Sequence, residues 1–198
     1  MENNNFYTFS MIKPDAMENR KEIIKLILNS GLKIDYAKVV NLDDEIIEKH
    51  YAHCKDKDFY PEMKKNLQSG PVILLLIYDK DGNAALKFRE ILGATKSWEA
   101  KPNTIRGMFG NKKVACKNAA HGSGNNIEAK EEIERFFKDD MTLILESIIN
   151  ERKKEYEQSM LGRKLSTNKC VYTDSYFERE KIDEIEKEYK SFTYKKEI

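Results

Sequence analysis

Val72-Ile73-Leu74-Leu75-Leu76-Ile77-Tyr78 is the stretch that decides the fold, because it is apolar at nearly every position and follows the turn residues Ser69-Gly70-Pro71. An apolar run of this length between turn signals predicts a β-strand that is buried on both faces. The run is far too short to span a bilayer as a helix. We therefore expect a sheet with helices packed on it.

Strand and helix patterns alternate on both sides of this strand. Before it, the sequence predicts a strand at Phe6–Ile12, a helix closed by Gly31, a strand at Leu32–Leu42, and helices after Asp43 and after Phe59-Tyr60-Pro61. After it, a helix from Asp81-Gly82-Asn83 to Gly93 precedes a short strand at Val114–Ala120 and a helix capped by Asn125. This order predicts an α+β fold, a ferredoxin-like α/β sandwich with a four-stranded antiparallel sheet.

The overall charge is balanced, with 35 Lys and Arg against 34 Asp and Glu in 198 residues. This balance gives no global field that would attract nucleic acid or an anionic membrane. Cys54, Cys116 and Cys170 lie far apart without a CxxC pair, which argues against a disulfide framework or a zinc site. The N-terminus lacks a signal pattern, and we expect a soluble, cytoplasmic protein.

Positive charge is nevertheless concentrated in one region. From Lys87 to Lys117 the chain carries eight basic and two acidic residues, most of them in a long loop between Gly93 and Val114. Loops of this length in compact domains are usually functional or disordered. The charge favours a site for a small polyanionic ligand, and a solvated basic loop is the alternative.

His121 follows this basic region, between the short strand and the helix capped by Asn125. A helix N-terminus offers free backbone N–H groups and a positive dipole end, which suit a phosphate. A neutral imidazole beside phosphate is a plausible nucleophile. Taken alone, a single histidine is more often a surface residue or a hydrogen-bonded core residue.

Several separated motifs carry a resemblance to a known family. They are, in chain order, Lys13-Pro14-Asp15, His50-Tyr51 with Phe59-Tyr60-Pro61, Ser69-Gly70-Pro71, Arg89 with Leu92-Gly93-Ala94-Thr95, Lys101-Pro102-Asn103-Thr104-Ile105-Arg106-Gly107, and Asn118-Ala119-Ala120-His121-Gly122-Ser123. In this order and spacing they resemble the nucleoside diphosphate kinases, from about Phe6 to Lys138. No motif is decisive alone, but their joint order is highly specific.

The resemblance implies a ping-pong transfer of the γ-phosphoryl group from a nucleoside triphosphate to His121 and then to a nucleoside diphosphate. By the same resemblance, Arg89, Thr95 and Arg106 hold the phosphates, which Mg²⁺ bridges without a direct protein ligand. The resemblance also implies that Lys13 and Asn118 contact the ribose and the transferring group, and that Tyr51 contacts the phosphoryl on the histidine. Phe59 would stack on the base, and Glu132 would orient the imidazole. An exposed helix position is the alternative for Glu132, and plain core packing is the alternative for Tyr51 and Phe59.

Departures from the family pattern flank the proposed site. Gly124 and Asn125 stand where the family usually carries an aspartate and a small hydroxyl residue, which removes a possible indirect aid to Mg²⁺. Lys96-Ser97-Trp98 replaces the usual start of the long loop, which supports subunit contacts in relatives. We expect a homo-oligomer, but the family's assembly is not carried over.

The resemblance ends at Lys138, so we divide the chain into a kinase-like domain at 1–138 and a helical C-terminal extension at 139–198. Within the extension, Leu161 to Ser175 is expected to be a linker, and the apolar residues Ile182, Ile185, Tyr189 and Phe192 recur at helical spacing. This narrow seam is expected to dock on the body or on a neighbouring subunit.

Two other functions remain open from the sequence. A catalytically weak nucleotide-binding or protein-interaction module would keep the fold, but loss of Lys13, Arg106 or His121 would be expected, and all three are present. An RNA-binding module on the same sheet would require exposed sheet aromatics and a salt-sensitive affinity, which the near-neutral charge disfavours.

Overall fold

The computed structural model of the chain describes residues 5–165 and 175–194. Four antiparallel strands form one sheet in the order β2-β3-β1-β4, with β1 at Tyr7–Ile12, β2 at Lys33–Val40, β3 at Val72–Tyr78 and β4 at Ala120–Gly122. The predicted apolar strand is therefore β3, one of the two central strands. The expected ferredoxin-like sandwich with a four-stranded antiparallel sheet is confirmed.

Alternation along β3 explains why the strand is apolar throughout. Ile73, Leu75 and Ile77 belong to one buried cluster, whereas Leu74 and Leu76 belong to a second cluster on the opposite face. The first face is covered by α1 (Arg20–Asn29) and α4 (Ala84–Leu92), and the second by α2 (Asp44–His50), α3 (Tyr60–Leu67) and α6 (Asn126–Phe137). Both faces of β3 are thus shielded from water, as its sequence requires.

Two predictions around the site were wrong in their boundaries. The long basic loop contains a short helix, α5 (Ile105–Phe109), which Thr104 caps by accepting a hydrogen bond from the Gly107 amide. The strand predicted at Val114–Ala120 is displaced, because Ala119 has a φ of 68° and the extended backbone begins only at Ala120. His121 therefore lies within β4 rather than after it.

The two helices of the C-terminal extension pack on opposite faces of the sheet, and both contact the edge strand β2. Helix α7 (Met141–Leu165) begins on the second face, where Ile144 is buried, and α8 (Ser175–Tyr194) packs on the first face through Ile185. The seam predicted from Ile182, Tyr189 and Phe192 also packs against that first cluster, so it docks on the body. Most of the expected linker lies outside the described residues, and its first part, up to Leu165, is helical.

Two further expectations concern thiols and membranes. Cys54 and Cys116 are free, whereas Cys170 lies outside the described residues. No described helix combines the length and apolarity that crossing a membrane requires.

Candidate active site

The ends of the neighbouring strands β1 and β4 bring the principal polar groups together. Met11 on β1 pairs with His121 on β4, and Lys13 follows β1 directly. The Lys13 amide donates to the carbonyl of Ala119 at 2.9 Å, which extends the pairing beyond the strand. The register therefore places Lys13, Asn118 and His121 at one end of two adjacent strands.

Helix α6 supplies the partner of His121. Nε2 of His121 lies 2.8 Å from Oε1 of Glu132, and the Ser123 hydroxyl donates to Oε2 of the same carboxylate at 2.6 Å. Glu132 is buried on the inner face of α6, so the alternative of an exposed helix glutamate does not hold. The start of α6 is fixed by Asn125, whose side chain accepts from the amides of Ile127 and Glu128.

This geometry determines which nitrogen of His121 is available. An ionised carboxylate can only accept hydrogen bonds, so the proton of a neutral His121 lies on Nε2 and the lone pair lies on Nδ1. Burial lowers the pKa of His121, although the Glu132 carboxylate opposes this effect. The ring is therefore neutral at physiological pH, with a fixed orientation and a free Nδ1.

Lys13 forms a second polar centre close by. Its Nζ donates to Oδ1 of Asn118 at 2.7 Å and to the carbonyl of Cys116 at 3.3 Å. The Asn118 amide nitrogen donates in turn to the carbonyl of Thr95 at 3.0 Å. The pKa of Lys13 is lowered to about 8, mainly by burial, with Asp15 opposing the shift and the Arg106 guanidinium adding to it. A buried ammonium with neutral partners is ready to receive an anion.

Arg106 on α5 is buried beneath β4. Its Nε and Nη2 donate to the carbonyl of Ala120 at 3.2 and 3.1 Å, and its Nη1 donates to the carbonyl of Gly93 at 3.2 Å. Burial lowers the pKa of Arg106 to about 10, and Arg89 contributes to the same lowering. The structure records no carboxylate bonded to this guanidinium among the described residues, so its positive charge remains uncompensated.

The remaining predicted residues differ in their burial. Tyr51, at the end of α2, is buried with its ring centroid 6.2 Å from that of His121, and its hydroxyl has no hydrogen-bond partner among the described residues. Burial raises the pKa of this hydroxyl. Arg89 is half-buried on α4, Thr95 is exposed within 3.5 Å of the Arg106 guanidinium, and Phe59 is 44% exposed before α3. Phe59 thus lies on the surface and not in the polar centre.

Three residues that shape the site were absent from the predicted set. Asp15 accepts from the amide of Ala119 and from the Asn66 side chain, and so holds the left-handed turn at Ala119 before His121. Ser123 fixes Glu132, as described above. His50 lies with its ring centroid 4.7 Å from that of His121. All three occur inside the quoted motifs, but a sequence motif does not show which of its residues are in contact.

Among the described residues, His50, His121 and Glu132 are spaced closely enough to hold a metal ion, with ligand atoms within 4.8 Å of one another. Glu132 and one nitrogen of each histidine are already engaged, because Glu132 accepts from His121 and Ser123 and His50 Nδ1 is bonded to Arg135. Lys13 and Arg106 also place positive charge nearby. The arrangement suits an anion at this position better than a cation.

Chemically, the site combines an orientated neutral imidazole with buried cationic groups and an unpaired phenol hydroxyl. Such a set can bind a polyphosphate and accept a transferred group on nitrogen, because the charge that develops on phosphoryl oxygens finds donors already in place.

The nucleoside diphosphate kinase family model matches residues 7–142 of the chain. A nucleoside diphosphate kinase of Coxiella burnetii is 44% identical over 135 residues, which cover 67% of this chain and 94% of that protein. Nucleoside diphosphate kinase 1 of Protochlamydia amoebophila is 39% identical over 136 residues, which cover 67% and 93% of the two chains.

Solved structures agree with these relatives. The apo nucleoside diphosphate kinase of Encephalitozoon cuniculi is 34% identical, with a TM-score of 0.62, and the match covers 68% of this chain and 90% of that one. A halophilic nucleoside diphosphate kinase from Halobacterium salinarum, solved in complex with CDP, is 34% identical with a TM-score of 0.62, and the match covers 69% and 90% of the two chains.

Proposed function

Because the chain belongs to the nucleoside diphosphate kinase family and has that activity, we propose that it works by a ping-pong mechanism with His121 as the nucleophile. In the first half-reaction, Nδ1 of His121 attacks the γ-phosphorus of a nucleoside triphosphate. The bond from that phosphorus to the bridging oxygen breaks, and the nucleoside diphosphate leaves with the electron pair. In the second half-reaction, a terminal oxygen of the acceptor diphosphate attacks the phosphohistidine and restores neutral His121.

The observation that carries this proposal is the bond from His121 Nε2 to Glu132, itself fixed by Ser123. This bond leaves the lone pair on Nδ1, so no separate base is needed for the attack. It also gives Glu132 a role during the reaction, because a carboxylate next to Nε2–H stabilises the positive charge that the ring acquires when Nδ1 is phosphorylated.

The phosphate groups are assigned to the buried cations. Arg106, Arg89 and Thr95 are proposed to hold the non-transferring phosphates, and Lys13 with Asn118 to contact the ribose and the transferring group. Tyr51 is proposed to donate its unpaired hydroxyl to the phosphoryl group on His121. Since most of these donors are in place before the ligand arrives, little reorganisation opposes transfer.

The nucleotide base is assigned to Phe59, whose 44% exposure makes its ring accessible for stacking. Stacking does not distinguish the bases by hydrogen bonding, which suits an enzyme that accepts several nucleotides. Enzymes of the family use a divalent cation, and we propose that the cation here is Mg²⁺, held by the phosphates. Its chemistry is to offset the charge of the phosphate oxygens.

We also propose that the kinase-like unit is residues 1–138 and that residues 139–198 extend it without taking part in transfer. A cytoplasmic location is supported by the free thiols of Cys54 and Cys116, and a homo-oligomer by the family resemblance. A weak binding module is not favoured, because Lys13, Arg106 and His121 are assembled in one centre.

The test is to separate the two half-reactions. Incubation with γ-labelled ATP and Mg²⁺, without acceptor, is expected to give an acid-labile, base-stable phosphoprotein that loses its label when dTDP is added. His121→Ala is expected to abolish labelling and turnover, whereas Glu132→Gln should only slow them. His53→Ala is a matched control, because His53 is exposed on the neighbouring short helix. Labelling that persists in His121→Ala would remove the assignment.

A further inference from the structure

A second histidine, His50, lies against His121 and has no role in the mechanism above. Its ring is buried and meets the His121 ring at 79°, with 4.7 Å between the centroids. Its Nδ1 lies 3.0 Å from Nη1 of Arg135 and 3.7 Å from Oε1 of Glu132. Its Nε2 is buried without a hydrogen-bond partner among the described residues.

The contact with Arg135 determines the tautomer of His50. A guanidinium has only N–H donors, so Nδ1 of His50 must be the acceptor, and the proton of the neutral ring lies on Nε2. The ring cannot easily turn over to exchange the two nitrogens, because it packs edge-on against Tyr51 and Phe136 at centroid distances of 4.4 and 5.0 Å. Arg135 therefore holds His50 in one protonation pattern.

The other tautomer of His50, with its proton on Nδ1, would affect the hydrogen bond between His121 and Glu132. Oε1 of Glu132 is the oxygen that His121 Nε2 contacts at 2.8 Å, and the same oxygen is 3.7 Å from Nδ1 of His50. If Nδ1 of His50 carried a proton, it would have a carboxylate oxygen within a small movement and would compete with His121 for it. The lone pair stays on Nδ1 of His121 only if His121 Nε2 keeps its hydrogen bond to Oε1 of Glu132.

We propose that Arg135 is a positioning residue for phosphoryl transfer: by keeping Nδ1 of His50 an acceptor, it reserves Oε1 of Glu132 for His121. The proposal rests on the proposed role of His121 as nucleophile. Arg135 acts through His50 and Glu132 and does not touch the substrate. Since Glu132 and Arg135 are three residues apart, one face of α6 both holds the nucleophile and prevents its neighbour from interfering.

The cationic groups around His50 favour its neutral form, whereas the Glu132 carboxylate opposes them. Arg135 and Glu132 face it from α6, His121 from β4, Lys13 from the end of β1, and His53 from the short helix after its own. Burial lowers the pKa of His50 to about 2, and the positive charges of Arg135 and Lys13 contribute to the lowering, so the ring stays neutral. Removing Arg135 removes one of those positive charges together with the donor that occupies Nδ1.

The experiment compares Arg135→Leu and Arg135→Lys, each in the wild-type chain and in a His50→Phe background. The first readout is the imidazole ¹⁵N spectrum of the intact protein, which is tractable because the chain has three histidines. Wild-type His50 is expected to show a protonated Nε2 and an unprotonated Nδ1, and Arg135→Leu to show protonation at Nδ1. The second readout is the rate of phosphohistidine formation in a single turnover.

Arg135→Leu is expected to slow phosphohistidine formation about tenfold, the effect of redirecting one hydrogen bond, with little change in the KM for ATP. Arg135→Lys should recover most of that rate, because an ammonium also can only donate. In the His50→Phe background, Arg135→Leu should cause no further loss, because phenylalanine has no proton that could compete.

Three outcomes would overturn the proposal: an unchanged His50 tautomer in Arg135→Leu, an equal loss of rate in both backgrounds, or a loss confined to KM. Unfolding midpoints of the variants separate a folding defect from a loss of positioning, because a general defect would persist in the His50→Phe background. If His121 were not the nucleophile, no phosphoryl group would appear on His121 even in the wild-type chain, which the imidazole spectrum reports. Failure of the proposed function and failure of this inference are therefore distinguishable.

Discussion

At the scale of single residues, the site depends on charges that are buried before any ligand is present. Lys13 is 5% exposed and Arg106 is 4% exposed, and neither is neutralised by a bonded carboxylate among the described residues. Burying such charges opposes folding. If phosphate binds these residues as proposed, the new ionic contacts offset this cost, because the same low-polarity surroundings strengthen them.

We predict from the pKa of Lys13 that kcat/KM falls on the alkaline side near pH 8. In the free enzyme Lys13 is charged below about pH 8 and loses its proton above that value, so phosphate binding weakens as pH rises. Bound phosphate favours the charged form and raises this pKa, so the corresponding decline in kcat should lie at higher pH. Rate profiles at saturating and limiting nucleotide, from about pH 6.5 to pH 10, measure both.

Lys13→Arg provides the control for this pH dependence. Arginine stays charged throughout the range, so the decline near pH 8 should disappear even if the absolute rate is lower. An unaltered alkaline limb in this variant would assign the titration to another group.

The sequence indicated that some residues would lie together, but it did not indicate their contacts. The order of the motifs pointed to Lys13, Asn118 and His121, and the strand register explains why they meet. The contact between Arg135 and His50 joins residues 85 positions apart, and neither composition nor periodicity reports such a pair. Arg135 also has no motif around it that would single it out.

At the scale of secondary-structure elements, α6 organises the site through its capping residues. The side chain of Glu128 contacts the loop that precedes the helix. Its carboxylate accepts hydrogen bonds from the Gly124 amide at 2.9 Å and from the Asn125 side chain at 2.9 Å. A Cβ added at Gly124 would lie 2.7 Å from the same carboxylate. The family's aspartate is absent from position 124, but Glu128 places a carboxylate beside that position.

We predict from this arrangement that Glu128→Gln raises the Mg²⁺ concentration needed for half-maximal rate. The expected increase is about two- to fivefold, because exposed charges interact by ~0.5–1 kcal/mol. Glutamine keeps an acceptor for the Gly124 amide, so the loop should remain in place. Mg²⁺ titrations at fixed nucleotide measure the change.

Glu131→Gln is the matched control, since Glu131 is exposed on the same helix and has no recorded bond to the loop. Equal shifts in the two variants would mean that Glu128 acts only through the general charge of α6.

Elements with a clear hydrophobic period were predictable, and those set by backbone geometry were not. The helix from Asn125 was found from its capping pattern, which the structure confirms in the bonds to Ile127 and Glu128. Helix α5 was missed because its five residues are too few to show a period. The late start of β4 depends on the positive φ of Ala119. Alanine rarely adopts this conformation, so the sequence around it does not predict it.

At the scale of the whole molecule, the extension is attached by both apolar and ionic contacts. Ile185 on α8 is fully buried in the cluster that also contains Ile23 and Ile34. Beside it, Glu186 forms a two-point contact with Arg20 at 2.6 and 2.8 Å. On α7, Ser147 donates to the carbonyl of Asp35 on β2 at 2.8 Å. Ser147 thereby pairs one backbone acceptor of the edge strand β2.

This attachment predicts different effects for the same substitution at two isoleucines of the extension. Ile185→Ala should lower the free energy of unfolding by about 2–5 kcal/mol, because it leaves a cavity in the first-face core. Ile149→Ala should change it by less than about 0.5 kcal/mol, because Ile149 on α7 is 63% exposed. Urea unfolding measures both values in the full-length chain.

Phosphotransfer by the two variants tests whether the extension takes part in catalysis. His121 contacts Phe9 and His50 on the second face of the sheet, whereas Ile185 packs on the first, so both folded variants should retain wild-type turnover at low temperature. A stable Ile185→Ala protein would mean that α8 does not dock as described. A folded Ile185→Ala protein without turnover would mean that the extension belongs to the active site and that the proposed boundary at residue 138 is wrong.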